Sequence, residues 1–372
     1  MLGGRMGLGG ADREPWRGGP VAAELWQRGP GSVLMLSQAR HAQTVMLALL
    51  RARGIERPVI ALPAFYAEGT LAPFRASKAE LRFYAMTAEL APDWQRLEAE
   101  VRENGPPDLL VLVHYYGTEG EGEAARRFAD SHGALLFEDA AHTMLPARGI
   151  GTFGQLVCYS PRKYYGTDDG AVLVAAGEAL AVELERVAPG IPSRPQQSDP
   201  WYGLRRWSDR TLPWRRRRGA LPRRDFDADW DGEPVASPSV WVSPGTSRRI
   251  EQLGRRGAER IRAREIADAI MIERHVEAAT SLRALGRLPE VAPYLLGFRG
   301  RNRTETEEAL GLLREAGANA ATWPGIPRIV REQPERYGAA LELRNTIIRV
   351  IPRFTGRRAG LDFIDRLPLP KR

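Results

Sequence analysis

Five short, almost wholly apolar runs recur between residues 58 and 174: PVIAL at 58–62, LLVLV at 109–113, ALLF at 134–137, QLVCY at 155–159 and AVLV at 171–174. Each has the length of a strand rather than a helix, and several are rich in β-branched residues. A strand that is apolar throughout must be covered on both faces, which is the situation of parallel strands crossed by helices. The stretches beside the runs supply such helices. HAQTVMLALL at 41–50 reads as a buried helix with Ser37 as its expected N-cap and Gly54 as its stop, and a second helix over 121–132 closes at Gly133. The pattern predicts an α/β fold: a mostly parallel central sheet with helices on both faces.

Beyond this region the pattern changes. Residues 195–240 lose periodicity and are rich in Arg, Trp and Pro. A helix is predicted over 247–285, followed by a smaller α+β region with strands at 294–298 and 347–351. The division expected is an N-terminal arm over 1–30, a large domain over 31–245 containing the irregular 195–240 insertion, and a small C-terminal domain over 246–372. No internal repeat is visible.

With 43% hydrophobic and 27% charged residues among 372, the chain has globular proportions. No stretch reaches 18 uninterrupted apolar residues, so no membrane-spanning helix is expected. The amino end has no apolar run before a small-residue cleavage site, so a cytoplasmic protein is expected. A single cysteine, Cys158, rules out an internal disulfide framework and a cysteine-built zinc site. His41, His132 and His275 lack ligand spacing, and no metal is expected.

The charge of +8 conceals a skew: 51 of the 54 basic residues are arginines, and the lysines are Lys78, Lys163 and Lys371 alone. Arginine stays protonated at any working pH, whereas lysine can give up its proton. A lysine retained in such a chain is therefore a candidate for chemistry. Lys371 lies in the terminal tail and Lys78 among polar neighbours, which leaves Lys163.

Ligands of parallel sheets sit beyond the carboxyl ends of the strands. The residues following the runs are Pro63 to Tyr66, His114 to Gly117, Glu138 and Asp139, and Ser160 to Lys163. His114 could touch a substrate or be a satisfied histidine near the sheet edge. A carboxylate at one strand end and a lysine at the next are the parts that pyridoxal phosphate needs: an amine to bond its aldehyde, and an acid to keep its ring nitrogen protonated. Each part alone has a plainer reading, since an acid after a strand often caps a loop and Ser-x-x-Lys also arises by chance.

Taken in order, the motifs over 109–174 resemble the core of the DegT/DnrJ-type sugar aminotransferases, fold-type I enzymes that use pyridoxal phosphate. His114-Tyr115-Tyr116-Gly117 is similar to the family's His-x-Tyr-Gly, and Glu138-Asp139-Ala140-Ala141-His142 to its Glu-Asp-Ala-Ala-Gln. Gly151-Thr152-Phe153-Gly154 is identical to its Gly-Thr-Phe-Gly, and Ser160-Pro161-Arg162-Lys163 precedes an acidic glycine turn at Asp168-Asp169-Gly170. The resemblance implies that Lys163 is the Schiff-base lysine and proton carrier, and that Asp139 pairs with the ring nitrogen. It makes Ser160 a phosphate ligand, with the turn Gln38-Ala39-Arg40 opening a helix whose amides hold the same phosphate. Tyr66, rather than Phe65, is expected to stack on the ring.

The chain departs from the family at His142 (glutamine there, beside the ring oxygen), at Ala39 and at Ala171 (both glycine there). The family's Gly-Tyr-Asn-Tyr-Arg segment, which reaches the neighbouring subunit's site, has no clear match; residues 241–246 stand in roughly that region. Relatives that act as sugar dehydratases carry histidine at the Schiff-base position, so Lys163 points to amino transfer. The implied activity moves an amino group from an amino acid, glutamate being the expected donor, to a keto-sugar, nucleotide-linked, for polysaccharide, cell-wall or secondary-metabolite assembly, in a homodimer. The alternative is a fold-type I scaffold without that activity, binding the cofactor as a sensory subunit. The Arg-rich 201–224 segment reads first as a solvated loop and second as a cradle for a nucleotide diphosphate; nucleic acid is not expected as a partner.

Overall fold

The computed structural model describes residues 14–194, 226, 239–352 and 362–367. Residues 1–13 of the arm, nearly all of 195–240 and Lys371 lie outside the described residues.

Seven strands form the large sheet: β1 (Gly31–Leu36), β2 (Val59–Pro63), β3 (Glu80–Tyr84), β4 (Leu109–Val113), β5 (Leu135–Asp139), β6 (Leu156–Tyr159) and β7 (Ala171–Ala176), in the order β1-β7-β6-β5-β4-β2-β3. Strands β3, β2, β4, β5 and β6 run parallel, while β7 is antiparallel to both β6 and β1. All five apolar runs are strands, and β4 is buried at every residue. Helices accompany the strands: α1 (Pro20–Trp26), α2 (His41–Ala52), α3 (Ala72–Arg75), α4 (Trp94–Asn104), α5 (Gly122–His132), α6 (Arg162–Tyr165) and α7 (Glu178–Val187). As expected, α5 closes at Gly133, which adopts the left-handed conformation that ends helices.

The C-terminal part opens with the long helix α8 (Pro244–Ala279). A four-stranded antiparallel sheet follows, β8 (Arg283–Ala284), β9 (Leu296–Arg299), β10 (Ala320–Thr322) and β11 (Ile347–Val350), ordered β10-β11-β9-β8. Helices α9 (Arg303–Glu315), α10 (Arg328–Arg331) and α11 (Pro334–Thr346) complete it. Among the described residues no helix is long and apolar enough to cross a membrane.

Two expectations are corrected. Ser37 does not cap α2: it continues from β1, its amide donating to Val240 O at 2.8 Å and its hydroxyl to Ser239 O. The helix starts later, with Arg40 in the N-cap position and no side-chain cap. The helix predicted over 247–285 runs instead from Pro244 to Ala279, is interrupted at Gly254 (φ 58°), and hands over to β8. Its start is fixed by Ser243, whose hydroxyl accepts from the Thr246 amide, and by Asp169. The buried Asp169 carboxylate accepts from the Ser243 amide at 2.5 Å, from the Ser243 hydroxyl at 2.9 Å and from the Thr246 hydroxyl. The acidic glycine turn is thus the joint between the site loop and α8.

Glu138 and Asp139 are neighbours on β5, and alternation along a strand turns their side chains to opposite faces. Glu138 is fully buried and faces the loop after β5. Its carboxylate accepts from the amides of Gly151 and Phe153, each at 2.7 Å, and from that of Gly154. His114 Nδ1 accepts from the Gly120 amide at 3.1 Å, so the ring proton is on Nε2, which donates to Glu138 at 2.6 Å. Burial by itself raises the Glu138 pKa, yet these donors together hold it below the ordinary carboxylate value. The Gly-Thr-Phe-Gly motif is therefore a three-amide clasp. Gly151 sits at φ +71°, and a Cβ there would run into the Tyr159 hydroxyl.

Replacing Glu138 by Ala strands three amides and His114 in a dry interior, and urea unfolding is expected to register a loss of about 3–5 kcal/mol. A loss below about 1 kcal/mol would contradict the clasp.

Candidate active site

Strands β1, β2, β4, β5 and β6 all end on one edge of the large sheet, and a cavity opens there. It is walled by the turn Gln38-Ala39-Arg40 after β1, by Tyr66, Ala67 and Thr70 after β2, by Asp139, Ala141 and His142 after β5, and by Ser160, Arg162 and Lys163 after β6. All seven residues picked from the sequence (Ala39, Arg40, Tyr66, Asp139, His142, Ser160, Lys163) line this one cavity. Phe65 does not; it is wholly buried and stacks on Trp323 at 4.7 Å.

Lys163 Nζ donates to Ala141 O at 2.8 Å and lies 4.6 Å from the centre of the Tyr294 ring. Desolvation first, and the neighbouring Arg162 second, lower its pKa to about 7, against the opposing pull of Asp139. Asp139 moves the other way: burial raises its pKa, while the Ala141 amide at 3.0 Å and the Lys163 charge resist. The amide occupies Oδ1. Oδ2 receives only a long contact, 3.4 Å, from the Tyr66 hydroxyl, which in turn accepts from Gln43 at 3.5 Å. Burial raises the Tyr66 pKa further above its ordinary value, so it stays a neutral donor.

His142 Nδ1 accepts from the Tyr116 amide at 3.3 Å. Burial, then the charges of Lys163 and Arg349, hold its pKa well below the usual histidine value, so it is neutral with its proton on Nε2. That makes it a hydrogen-bond donor, as the family's glutamine amide would be. Tyr116 is a buried non-glycine residue at φ 56°, a conformation costing about 1–3 kcal/mol; the turn directs its amide at His142. Ala39 is not in the left-handed region, so alanine replaces glycine there without strain. Ala171 is fully buried in β7, opposite Leu36. His114 is buried and bonded on both nitrogens, which is the satisfied-core reading of that residue.

Two features of the wall were not read from the sequence. Trp323, just after β10, reaches the cavity from the small sheet and also meets the His142 and Tyr116 rings, at 5.9 and 5.7 Å. No local pattern marks it, because its place depends on how the two sheets pack. Arg162 was passed over as one of many arginines. Residues 241–246, in the region of the family's subunit-crossing segment, bridge to β1 at Leu36 and Trp241 and start α8 in the same chain.

Residues 34–192 match the model of the DegT/DnrJ/EryC1/StrS aminotransferase family. That stretch, under half of the chain, is similar to this family. No curated protein matches the chain in sequence. Solved structures do match it in fold. The aminotransferase TlmJ from Streptoalloteichus hindustanus has a TM-score of 0.64 at 18% identity, over 95% of this chain and 90% of that one. Helicobacter pylori PseC, an aminotransferase of pseudoaminic acid biosynthesis, has 0.61 at 13%, over 90% and 86%. The E. coli GDP-4-keto-6-deoxy-D-mannose-3-dehydratase, solved with bound hydrated pyridoxal phosphate, has 0.60 at 17%, over 90% and 86%. The family match and this fold together indicate a pyridoxal-phosphate-dependent aminotransferase.

The cavity fits that cofactor by its own chemistry. It holds one lysine whose amine is free near neutral pH, an acid with an oxygen still able to accept, and a neutral donor at His142. Ser160 has no exposed surface, and its hydroxyl has no partner among the described residues, an orphan that a phosphate oxygen would satisfy.

A lysine with a pKa of about 7 is protonated below that pH and a free amine above it. Acetylation of Lys163 by a small reagent, resolved by peptide mass spectrometry, is expected to rise with pH and level off above about 7. An ordinary lysine would keep rising toward ~10.4, and a Lys163 profile of that kind would contradict the site described.

Proposed function

We propose that this chain moves an amino group from an amino acid, glutamate being the expected donor, to the ketone of a nucleotide-linked sugar. The observation that carries the reading is Lys163, an amine poised near neutrality in the same cavity as Asp139 and the orphaned Ser160 hydroxyl. When bound, pyridoxal phosphate supplies an aldehyde and a ring that draws electrons from the bond being broken.

The chain's own residues do the rest. Lys163 takes and returns protons over the cavity, which its lowered pKa permits at working pH. Asp139 Oδ2 would accept from a protonated ring nitrogen, and Tyr66, on the cavity wall, would lie against the ring. His142 Nε2 donates to the ring oxygen. Ser160 and the amides at the start of α2 hold the phosphate. Trp323, on the cavity wall, would shield that space from water.

Lysine rather than histidine at position 163 favours amino transfer over the dehydration named for the E. coli neighbour. A nucleotide-linked sugar is consistent with the substrate named for that dehydratase. We place the enzyme in the cytoplasm as a homodimer, the latter following from the family resemblance, and divide it by its change of sequence pattern into an arm over 1–30, a large domain over 31–245 and a small one over 246–372.

Cofactor-loaded protein mixed with glutamate and no acceptor is expected to release 2-oxoglutarate in an amount equal to the protein. Lys163→Ala should lower the rate of that release by at least ~10²-fold. Release of nothing with any amino acid, from protein that does capture the cofactor, would overturn amino transfer and favour a binding or sensory scaffold.

A further inference from the structure

Arg162, one residue before Lys163, has a side chain that the reading above leaves without a task. It lines the cavity beside Gln38, Ala39, Arg40 and Ser160. Its backbone is fixed, the amide donating to Gly170 O at 3.1 Å, so the guanidinium is held at the cavity wall by the same turn that Asp169 ties to α8. Its Nε is buried, and among the described residues no acceptor is hydrogen-bonded to it. A buried guanidinium nitrogen without an acceptor is costly, and its natural complement is a carboxylate or phosphate.

Three neighbours point to phosphate. The Ser160 hydroxyl is wholly buried and, among the described residues, unpartnered. The first bonds of the 12-residue helix α2 run from His41 to Gln38 O and from Ala42 to Ala39 O, both 3.0 Å, which leaves the Gln38 and Ala39 amides outside the helical ladder. Arg40 stands close enough that its pKa is lowered, by burial first and by the Arg162 charge second. A buried guanidinium nitrogen and a buried hydroxyl without partners among the described residues, on the same cavity wall as the start of α2, form a site suited to a dianion.

We propose that Arg162 is a ligand of the cofactor's phosphate, closing with Arg40, Ser160 and the start of α2 an anion cradle built beside the reactive lysine. The proposal rests on the aminotransferase reading and extends it to a residue with two consequences. Arg162 selects for the phosphorylated form of the cofactor. It also links phosphate occupancy to Lys163, because a dianion on Arg162 offsets the charge that disfavours protonation of the adjacent amine.

The test compares pyridoxal phosphate with pyridoxal, which has the aldehyde and ring but no phosphate. The full-length apoprotein, Arg162→Gln and Arg162→Lys are titrated with each, following the absorbance of lysine-bound ligand. A charge-assisted pair of this kind is worth ~10–100-fold in affinity. Arg162→Gln is expected to lose that factor for pyridoxal phosphate and to hold pyridoxal within about twofold, with Arg162→Lys intermediate. In the wild type, inorganic phosphate should slow capture of pyridoxal phosphate and move the pH midpoint of Lys163 acetylation upward; this measurement does not depend on any variant folding. Equal losses for both ligands, or none for either, would overturn the assignment of Arg162 while leaving the cofactor reading intact, as would indifference to inorganic phosphate. A wild type that captures neither ligand overturns both.

Discussion

Glu138 has no exposed surface, and a carboxylate in that position stays charged only if donors surround it. Three backbone amides and His114 do so, and the demand they satisfy fixes the architecture of the site. The amides come from one short loop, so the loop must wrap the end of β5. His114 comes from the end of β4, so β4 and β5 finish together. The next residue along β5 then has no choice of direction: Asp139 faces the cavity, at the level where β6 delivers Ser160 and Lys163. A structural acid and the proposed cofactor acid are adjacent in the chain because strand alternation can aim one inward at the clasp and the other outward at a ligand.

The electrostatics of the cavity follow from the same burial. Removing water disfavours whichever form is charged, so the lysine's proton affinity falls and the aspartate's rises, and each then tempers the other. Near neutral pH Lys163, lowered to about 7, can exchange protons, which an exposed lysine would not do. The buried Arg162 Nε, without an acceptor among the described residues, adds positive charge beside this balance, and the proposed phosphate would supply its counter-charge.

Much of the architecture was legible because its strands are covered on both faces and so appear as unbroken apolar runs. The exceptions have local reasons. Strand β3 lies at the sheet edge and reads Glu-Leu-Arg-Phe-Tyr, half polar, while β8 and β10 are too short to carry a pattern. Ser37 looked like a helix cap because it is a serine ahead of a helical run, but its bonds go to Ser239 and Val240, far along the chain. The site was legible where it sits at strand ends. Lysine scarcity singled out Lys163, the strand-end positions made Asp139 and Ser160 candidates, and the family resemblance gave these and the other site residues their roles. Trp323 was not legible, since nothing local distinguishes a tryptophan that crosses to another sheet's cavity. Arg162 was hidden by the abundance that made Lys163 conspicuous.

With lysines only at 78, 163 and 371, the amine that bonds the cofactor can be found without ambiguity. Protein incubated with pyridoxal phosphate, reduced with borohydride and digested should carry a single pyridoxyl group, on Lys163. A group on Lys78 or Lys371, or no group on Lys163 under conditions that label a model amine, would contradict the account.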